Sequence, residues 1–182
     1  MDKTARIVKL IMTRDDKRFM ALQGLLQWTQ GVVMQSVRLS AARNREASDD
    51  LRFNHLARHQ AVLAFHSECH FFVIAAFKLI EYREWISTLR ICATIDISEI
   101  GGFLKRDIKD LRNMREHIVE YFQGDGHMSD RWDFERQEAA TADASSVIGT
   151  MIGGRLDWIK FESAAERLHS QLLAEPIAYP SR

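Results

Sequence analysis

Apolar residues recur at intervals of three and four along most of the chain, the periodicity of helices that bury one face. The first long segment predicts a helix from 14 to about 40, with Thr13 as its amino-terminal cap. Gly24 and Gly31 weaken this helix without ending it. A shorter amphipathic segment precedes it at 4–12. The apolar positions of the long helix are Phe19, Leu22, Leu26 and Val33.

A second helix is predicted after a polar loop at 41–48. The sequence Ser48-Asp49-Asp50 is typical of a helix start, and the apolar pattern then continues to about Leu89. Because about 40 residues is long for one helix of a globular protein, we expect a bend or a break near 83–87.

A third helix is predicted from Asp96 and Glu99, which have the spacing of a capping box. Gly124 and Gly126 end it, since glycine is the usual residue just beyond a helix. Its apolar stripe consists of Ile100, Leu104, Ile108, Leu111, Ile118 and Phe122.

The pattern changes after this helix. The segment 125–143 is acidic and carries Trp132 and Phe134, which predicts a surface excursion with no more than a short helix. The segment 145–155 predicts a small β-hairpin, the one place where strand is expected. Its two apolar pairs are Val147-Ile148 and Met151-Ile152, separated by Gly149 and followed by Gly153-Gly154.

Proline usage decides the fold class. The only two prolines are Pro176 and Pro180, so the first 175 residues lack the strongest helix breaker. The sequence therefore predicts one all-α domain at 1–175, an up-and-down bundle of four to five helices with the small hairpin, and a tail at 176–182. The last helix runs from about Asp157 to Ala174, with an inward face of Ile159, Ala164, Leu168 and Leu172.

Charge and cysteine content limit the classes of function. Lysines and arginines number 25, as do aspartates and glutamates, so no global field draws the chain onto nucleic acid or a membrane. Any anion site must be local. Cys69 and Cys92 lie in apolar segments and indicate reduced thiols of a cytoplasmic protein. The charged, interrupted start of the chain predicts neither a signal peptide nor a membrane span.

The residues with the most chemical information are Arg112-Asn113-Met114-Arg115-Glu116-His117, within the predicted helical stretch 107–122. An imidazole can move a proton to or from a ribose or leaving oxygen, and a guanidinium can hold a phosphate. Asn113 and His117 share one helix face, while Lys105, Lys109 and Arg112 form an adjoining basic stripe. Tyr121 lies one turn after His117 and could donate to it or to a phosphate.

The pattern Arg112, Asn113 and His117 resembles the motif of the HEPN superfamily (higher eukaryotes and prokaryotes nucleotide-binding). The resemblance implies an all-α homodimer, many members of which are metal-independent endoribonucleases of toxin–antitoxin or phage-defence systems. It implies that Arg112 binds the scissile phosphate of RNA, that Asn113 orients the site and that His117 is the acid/base. Only these three residues carry over, and an antitoxin protein would be a further partner. From their places on the helix, Lys105, Lys109 and Tyr121 are expected to bind the substrate in the RNA cleft.

One alternative function stays open for this cluster, and its geometry sets one requirement. Its charges can form ordinary ion pairs on a solvated helix face, in which case the chain is a non-catalytic α-helical interaction or nucleotide-binding module. An ideal helix also does not aim Arg112 and His117 at one point. Their convergence requires a bent helix or a second protomer.

A second cluster consists of four histidines on one face of the second helix, at His55, His59, His66 and His70. Two His-x-x-x-His pairs could bind a metal, but the sequence supplies no third ligand. A helix interface, a cleft lining or a dimer seam are alternative uses. The glycine-rich phosphate loop and the serine nucleophile motif are both absent from the sequence. We therefore expect no metal and no cofactor.

Overall fold

The computed structural model describes residues 13–92, 95–125, 133–135, 141–143 and 146–174, the two short strand segments by their backbone alone. The helix expected at 4–12, the tail at 176–182 and Trp132 lie outside these ranges. The elements are α1 (Arg14–Glu46), a 3₁₀ turn (Asp49–Leu51), α2 (His55–Leu89), α3 (Ser98–Gly101), α4 (Lys105–Glu116), α5 (Ile118–Gln123), β1 (Asp133–Glu135), β2 (Thr141–Asp143), β3 (Val147–Ile148), β4 (Met151–Ile152), β5 (Leu156–Asp157) and α6 (Trp158–Ala174).

Helix α1 begins at the predicted cap and ends later than predicted. Thr13 Oγ1 accepts a hydrogen bond from Asp16 N, and Asp16 Oδ2 accepts one from Thr13 N, so the two residues form a capping box. The loop expected at 41–48 was wrong, because α1 continues to Glu46. Its last turns carry two arginines, which favour a helix carboxyl terminus, and Arg43 reaches across to donate to Gly149 O.

Helix α2 also starts later than predicted. Ser48 Oγ accepts from Asp50 N, but the turn that this bond stabilises is the 3₁₀ turn and not the helix itself. Asn54 is the cap of α2, with its Oδ1 accepting from Ala57 N at 3.0 Å. The predicted break at 83–87 does not occur, because α2 is one helix of 35 residues whose buried face extends to Ile86.

The close approach of α1 and α2 explains one glycine in the middle of a helix. Helix α1 packs along α2, and Gly24 faces the ring of Tyr82. A Cβ atom at Gly24 would lie 1.8 Å from Tyr82 Cε1, far inside van der Waals contact. Glycine at this position thus allows the two long helices to approach each other, although glycine weakens a helix by itself.

The predicted third helix is three shorter helices. The capping box does not form: Asp96 Oδ1 accepts from Ser98 N, whereas Glu99 binds Arg167 of α6. Helix α3 ends after four residues, and the chain turns before α4 begins. Of the predicted apolar stripe, Ile100, Ile108 and Leu111 are buried, Ile118 is half-buried and Leu104 is exposed. The side chain of Phe122 lies outside the described part.

The predicted hairpin is confirmed and gains a third strand. Strands β3, β4 and β5 form an antiparallel sheet in which Val147 pairs with Ile152, and Ile152 pairs with Leu156. The expectation of no strand within 125–143 was wrong, since β1 and β2 form a second antiparallel pair. Aromatic and β-branched residues favour strands, and this pair contains Phe134 and Thr141.

Helix α6 completes the bundle by packing on α1, while α4 packs on α2. Phe72 lies edge-to-face against Trp158 and Phe161 at the junction of α2 with α6. The predicted inward face of α6 is right for Ala164, Leu168 and Leu172 but wrong for Ile159, which is exposed because the buried face starts one residue earlier, at Trp158. The fold is an all-α bundle with a small antiparallel sheet, as predicted.

Helix α2 is long and apolar enough to cross a membrane by length and composition alone, although the sequence predicts no membrane span. Half of its most apolar window is buried inside the protein. The central helix of a bundle has the same properties, because it is covered by neighbours on more than one side.

Candidate functional site

The motif residues lie at a break between two helices. His117 lies between them as the C-terminal cap residue of α4 and the N-terminal cap residue of α5, with φ −110° and ψ 29°. Its N–H donates to Asn113 O at 2.9 Å, and its carbonyl accepts from Tyr121 N at 3.2 Å. The single helix expected over 107–122 was therefore wrong. Two β-branched residues, Ile118 and Val119, follow the break, and such residues are less favourable in helices than unbranched ones.

Arg112 is held by groups of its own chain at the seam between α2 and α4. Its guanidinium carbon lies 4.5 Å from the centre of the Phe77 ring, and Nη2 donates to Asn113 Oδ1 at 2.7 Å. Its Nε lies 3.2 Å from Glu116 Oε2, an ion-pair distance without hydrogen-bond geometry. The side chain is 27% exposed. Arg112 and Asn113, which the sequence placed on adjoining helix faces, are thus hydrogen-bonded to each other, next to a carboxylate.

His117 faces a different partner. Its side chain is 54% exposed, and Nδ1 lies 3.0 Å from Glu120 Oε1. A carboxylate is an acceptor only, so in the neutral form of the imidazole Nδ1 carries the proton and Nε2 is an acceptor. In the described part of the chain, no hydrogen bond or ion pair joins His117 to Arg112. Glu120 was missed in the sequence, although its i, i+3 spacing from His117 was a usable signal.

The predicted substrate-binding residues lie in three different surroundings. Lys105 forms a close ion pair with Glu84 of α2. Lys109 is exposed and has no ion pair with any residue in the described ranges. Tyr121 is half-buried and packs against the core. Lys105 and Arg112 therefore form ion pairs with carboxylates. Of the three residues in the predicted basic stripe, mainly Lys109 is exposed to solvent.

A groove of about 650 Å³ opens on the same seam, between α2 and the α4–α5 segment. Its apolar lining comes from Leu63, Phe71 and Ile118, and its polar lining from His66, Ser67, His70 and Arg115. Arg115 Nη1 donates to His66 O at 3.4 Å. Burial lowers the pKa of His70 below its ordinary value of 6.5; the positive charge of Arg115 lowers it further, and Glu116 opposes the shift.

The four histidines of the α2 stripe lie in two different environments. His55 and His59 are exposed, whereas His66 and His70 are half-buried in the groove wall. Among residues 13–92, 95–125 and 146–174, no group of three or more His, Cys, Asp or Glu side chains is placed to hold a metal ion. The two half-buried histidines are therefore better described as lining a cleft, one of the uses that the sequence left open.

Neither cysteine forms a disulfide with a described residue. Cys69 is fully buried, and this burial raises the pKa of its thiol to about 11. A thiol in that environment stays protonated near neutral pH and is a poor nucleophile. Cysteine-based chemistry at Cys69 is thus excluded by its surroundings.

No family model, no curated protein and no solved structure matches this chain.

Proposed function

We propose that the chain is a HEPN-like, metal-independent endoribonuclease that acts as a homodimer in the cytoplasm. The observation that carries the proposal is the state of His117. It lies at a helix break and is half exposed, its Nδ1 is bound to Glu120, and no described residue bonds to Nε2. This is the arrangement of an imidazole that acts as a general base, oriented by a carboxylate.

The reaction needs only proton transfer and charge stabilisation. His117 Nε2 takes the proton of a ribose 2′-hydroxyl, and the 2′-oxygen attacks the adjacent phosphorus. The bond from phosphorus to the 5′-oxygen breaks, and an imidazolium returns a proton to that leaving oxygen. The products are a 2′,3′-cyclic phosphate and a 5′-hydroxyl. Arg112 would hold the phosphate and stabilise the negative charge that builds on it.

The separation of Arg112 and His117 makes the second protomer part of this proposal. Arg112 lies against Phe77 of α2, while His117 extends from the break towards Glu120. A two-fold arrangement of two chains would place His117 of one copy near Arg112 of the other. Val119, which is 61% exposed next to His117, is an apolar contact that such an interface could bury. The toxin–antitoxin or phage-defence setting and the antitoxin partner belong to the same proposal.

A cleavage assay in excess EDTA tests the proposal. We expect the protein to cleave single-stranded RNA and to leave 2′,3′-cyclic phosphate ends. Replacing His117 by Ala should lower the rate by about 10²- to 10⁴-fold, the usual contribution of a general acid or base. The control is Gln123→Ala, a change at an exposed position at the end of α5, and this variant should cleave RNA at the normal rate. Loss of cleavage on chelation would contradict a metal-free mechanism.

The surroundings of Arg112 favour a second candidate, a non-catalytic α-helical interaction or nucleotide-binding module. Phe77, Asn113 and Glu116 all bind Arg112, which is what a structural arginine at a helix seam requires. This candidate predicts a folded protein that cleaves no RNA with or without divalent metal. It also predicts that His117→Ala changes neither partner binding nor stability.

A further inference from the structure

The groove between α2 and the α4–α5 segment has no role in the cleavage chemistry described above. Its volume, about 650 Å³, lies within the range of about 300–1,000 Å³ that is common for small-molecule sites. Arg115 lies one turn along α4 from Arg112, so their Cβ atoms are about 5–6 Å apart. An RNA strand bound at Arg112 would therefore reach the groove over a short distance.

The charge of the groove favours an anionic ligand. Arg115 contributes a positive charge to the wall, His66 and His70 contribute imidazole nitrogens, and the described lining residues include no carboxylate. Glu116, the carboxylate that raises the pKa of His70, forms an ion pair with Arg112. A guanidinium has five N–H donors in a planar fork that suits a phosphate.

The apolar part of the groove favours a flat group. Phe71 is 53% exposed at the rim, and its ring lies against that of His70, with centres 5.8 Å apart and planes tilted by 57°. Leu63, also 53% exposed, and Ile118 extend the apolar surface. Exposed aromatic rings beside cationic groups are the usual platform for the bases of single-stranded nucleic acids.

We infer that this groove binds one unpaired nucleotide of the RNA substrate, with its phosphate on Arg115 and its base on Phe71. The inference rests on the proposed function, because it takes RNA as the ligand. The lowered pKa of His70 fits this role, since an uncharged imidazole has one donor and one acceptor for a ribose hydroxyl or a base edge.

Binding of a labelled single-stranded RNA to the full chain tests the inference. The background variant is His117→Ala, so that cleavage does not interfere. Ser67 is an exposed lining residue, which makes Ser67→Glu and Ser67→Gln a matched pair in size that differs in charge. We expect the Ser67→Glu protein to bind RNA about 10-fold more weakly than the Ser67→Gln protein. Phe71→Ala should also weaken RNA binding by about 10-fold, through lost stacking.

Equal affinities for the Ser67→Glu and Ser67→Gln proteins, with folded circular dichroism spectra, would overturn the inference. Saturable binding of adenosine monophosphate without any binding of the oligonucleotide would overturn it as well, because the site would then take a free nucleotide. The inference would also be wrong if the groove variants changed the sedimentation coefficient of the protein and left its RNA affinity unchanged. A second copy of the chain, and not RNA, would then occupy the groove.

The two proposals fail in different ways. If the wild-type protein cleaves RNA in EDTA but the groove variants bind RNA normally, the groove inference is wrong and the catalytic proposal stands. If the wild-type protein cleaves nothing but Ser67→Glu still weakens RNA binding relative to Ser67→Gln, the groove is a nucleotide site of a non-catalytic protein.

Discussion

The bundle of α1, α2 and α6 differs from the α3–α5 segment in how the helices respond to local sequence. Helices α1 and α2 run for 33 and 35 residues, and α1 continues through two glycines and a polar stretch. The α3–α5 segment, predicted as one helix, is divided into pieces of 4, 12 and 6 residues. Extensive burial keeps a helix continuous despite weak local propensity, whereas a helix with one covered face ends where its local sequence is unfavourable.

The two regions also differ in how their polar groups are bonded. In the bundle, Thr29 Oγ1 lies 2.9 Å from His169 Nδ1, and Ser36 is hydrogen-bonded to Glu162 across α1 and α6. In the α3–α5 segment, His117 and Lys109 face solvent. These two pairs of polar groups are satisfied between α1 and α6 and stabilise the packing of the two helices. The candidate chemistry lies in the other region, where side chains remain accessible.

The largest expected effect distinguishes the packed side of α2 from its groove side. Phe72 is fully buried between Trp158 and Phe161, so Phe72→Ala should lower the free energy of unfolding by about 3–5 kcal/mol. Its sequence neighbour Phe71 is 53% exposed, and Phe71→Ala should cost less than about 1 kcal/mol. Urea unfolding followed by circular dichroism measures both. Equal losses would show that the groove side is packed as tightly as the core.

The next effect tests the close approach of the two long helices. Gly24→Ala should destabilise the protein by about 1–3 kcal/mol, because the new methyl group overlaps the Tyr82 ring. At Gly31 the nearest atom to a new Cβ is Trp28 Cε3 at 3.4 Å, an ordinary contact. Gly31→Ala should therefore stabilise the helix by about 0.5–1 kcal/mol. Thermal unfolding of the two variants should shift in opposite directions, and a shared direction would contradict the helix spacing.

A smaller effect tests the seam that joins the two regions. Arg112→Ala removes the contact with Phe77 and the ion pair with Glu116, and should cost about 1 kcal/mol of stability. Lys109→Ala, on the exposed side of α4, should cost less than about 0.5 kcal/mol. Both can be measured by urea unfolding at neutral pH. A silent Arg112→Ala variant would mean that the arginine is not needed to hold α4 on α2.

The smallest expected effect is a pH dependence from His70. Its pKa is lowered in the folded protein from the ordinary 6.5, so the unfolded chain takes up a proton first as the pH falls. The stability from the neutral imidazole is complete above pH 6.5 and is lost as the pH falls through the lower pKa of the folded state. Unfolding curves of wild type and His70→Gln between about pH 7.5 and 5 measure it. Identical pH slopes for both proteins would contradict this assignment.

Local signals in the sequence were enough to find most of the elements. The Thr13 cap, the end of α2 at Leu89, the β3–β4 hairpin and the end of α6 at Ala174 are all placed as predicted. Each depends on a pattern within a few residues, such as a side-chain cap or a glycine turn. At the candidate site, the sequence placed Arg112 and Asn113 on adjoining helix faces, and the bond between their side chains was not predicted.

The sequence by itself determined the all-α class, the amphipathic faces and the presence of the Arg112-to-His117 cluster, because these follow from short-range periodicity and residue type. Only the tertiary structure decided where helices continue and where they break, since that depends on what covers each face. It also decided that Arg112 stacks on Phe77 and that His66, His70 and Arg115 share one groove. The contact of Arg112 with Phe77 and the bond from Arg115 to His66 O join α2 to α4 across 35 and 49 positions, and no local pattern encodes them.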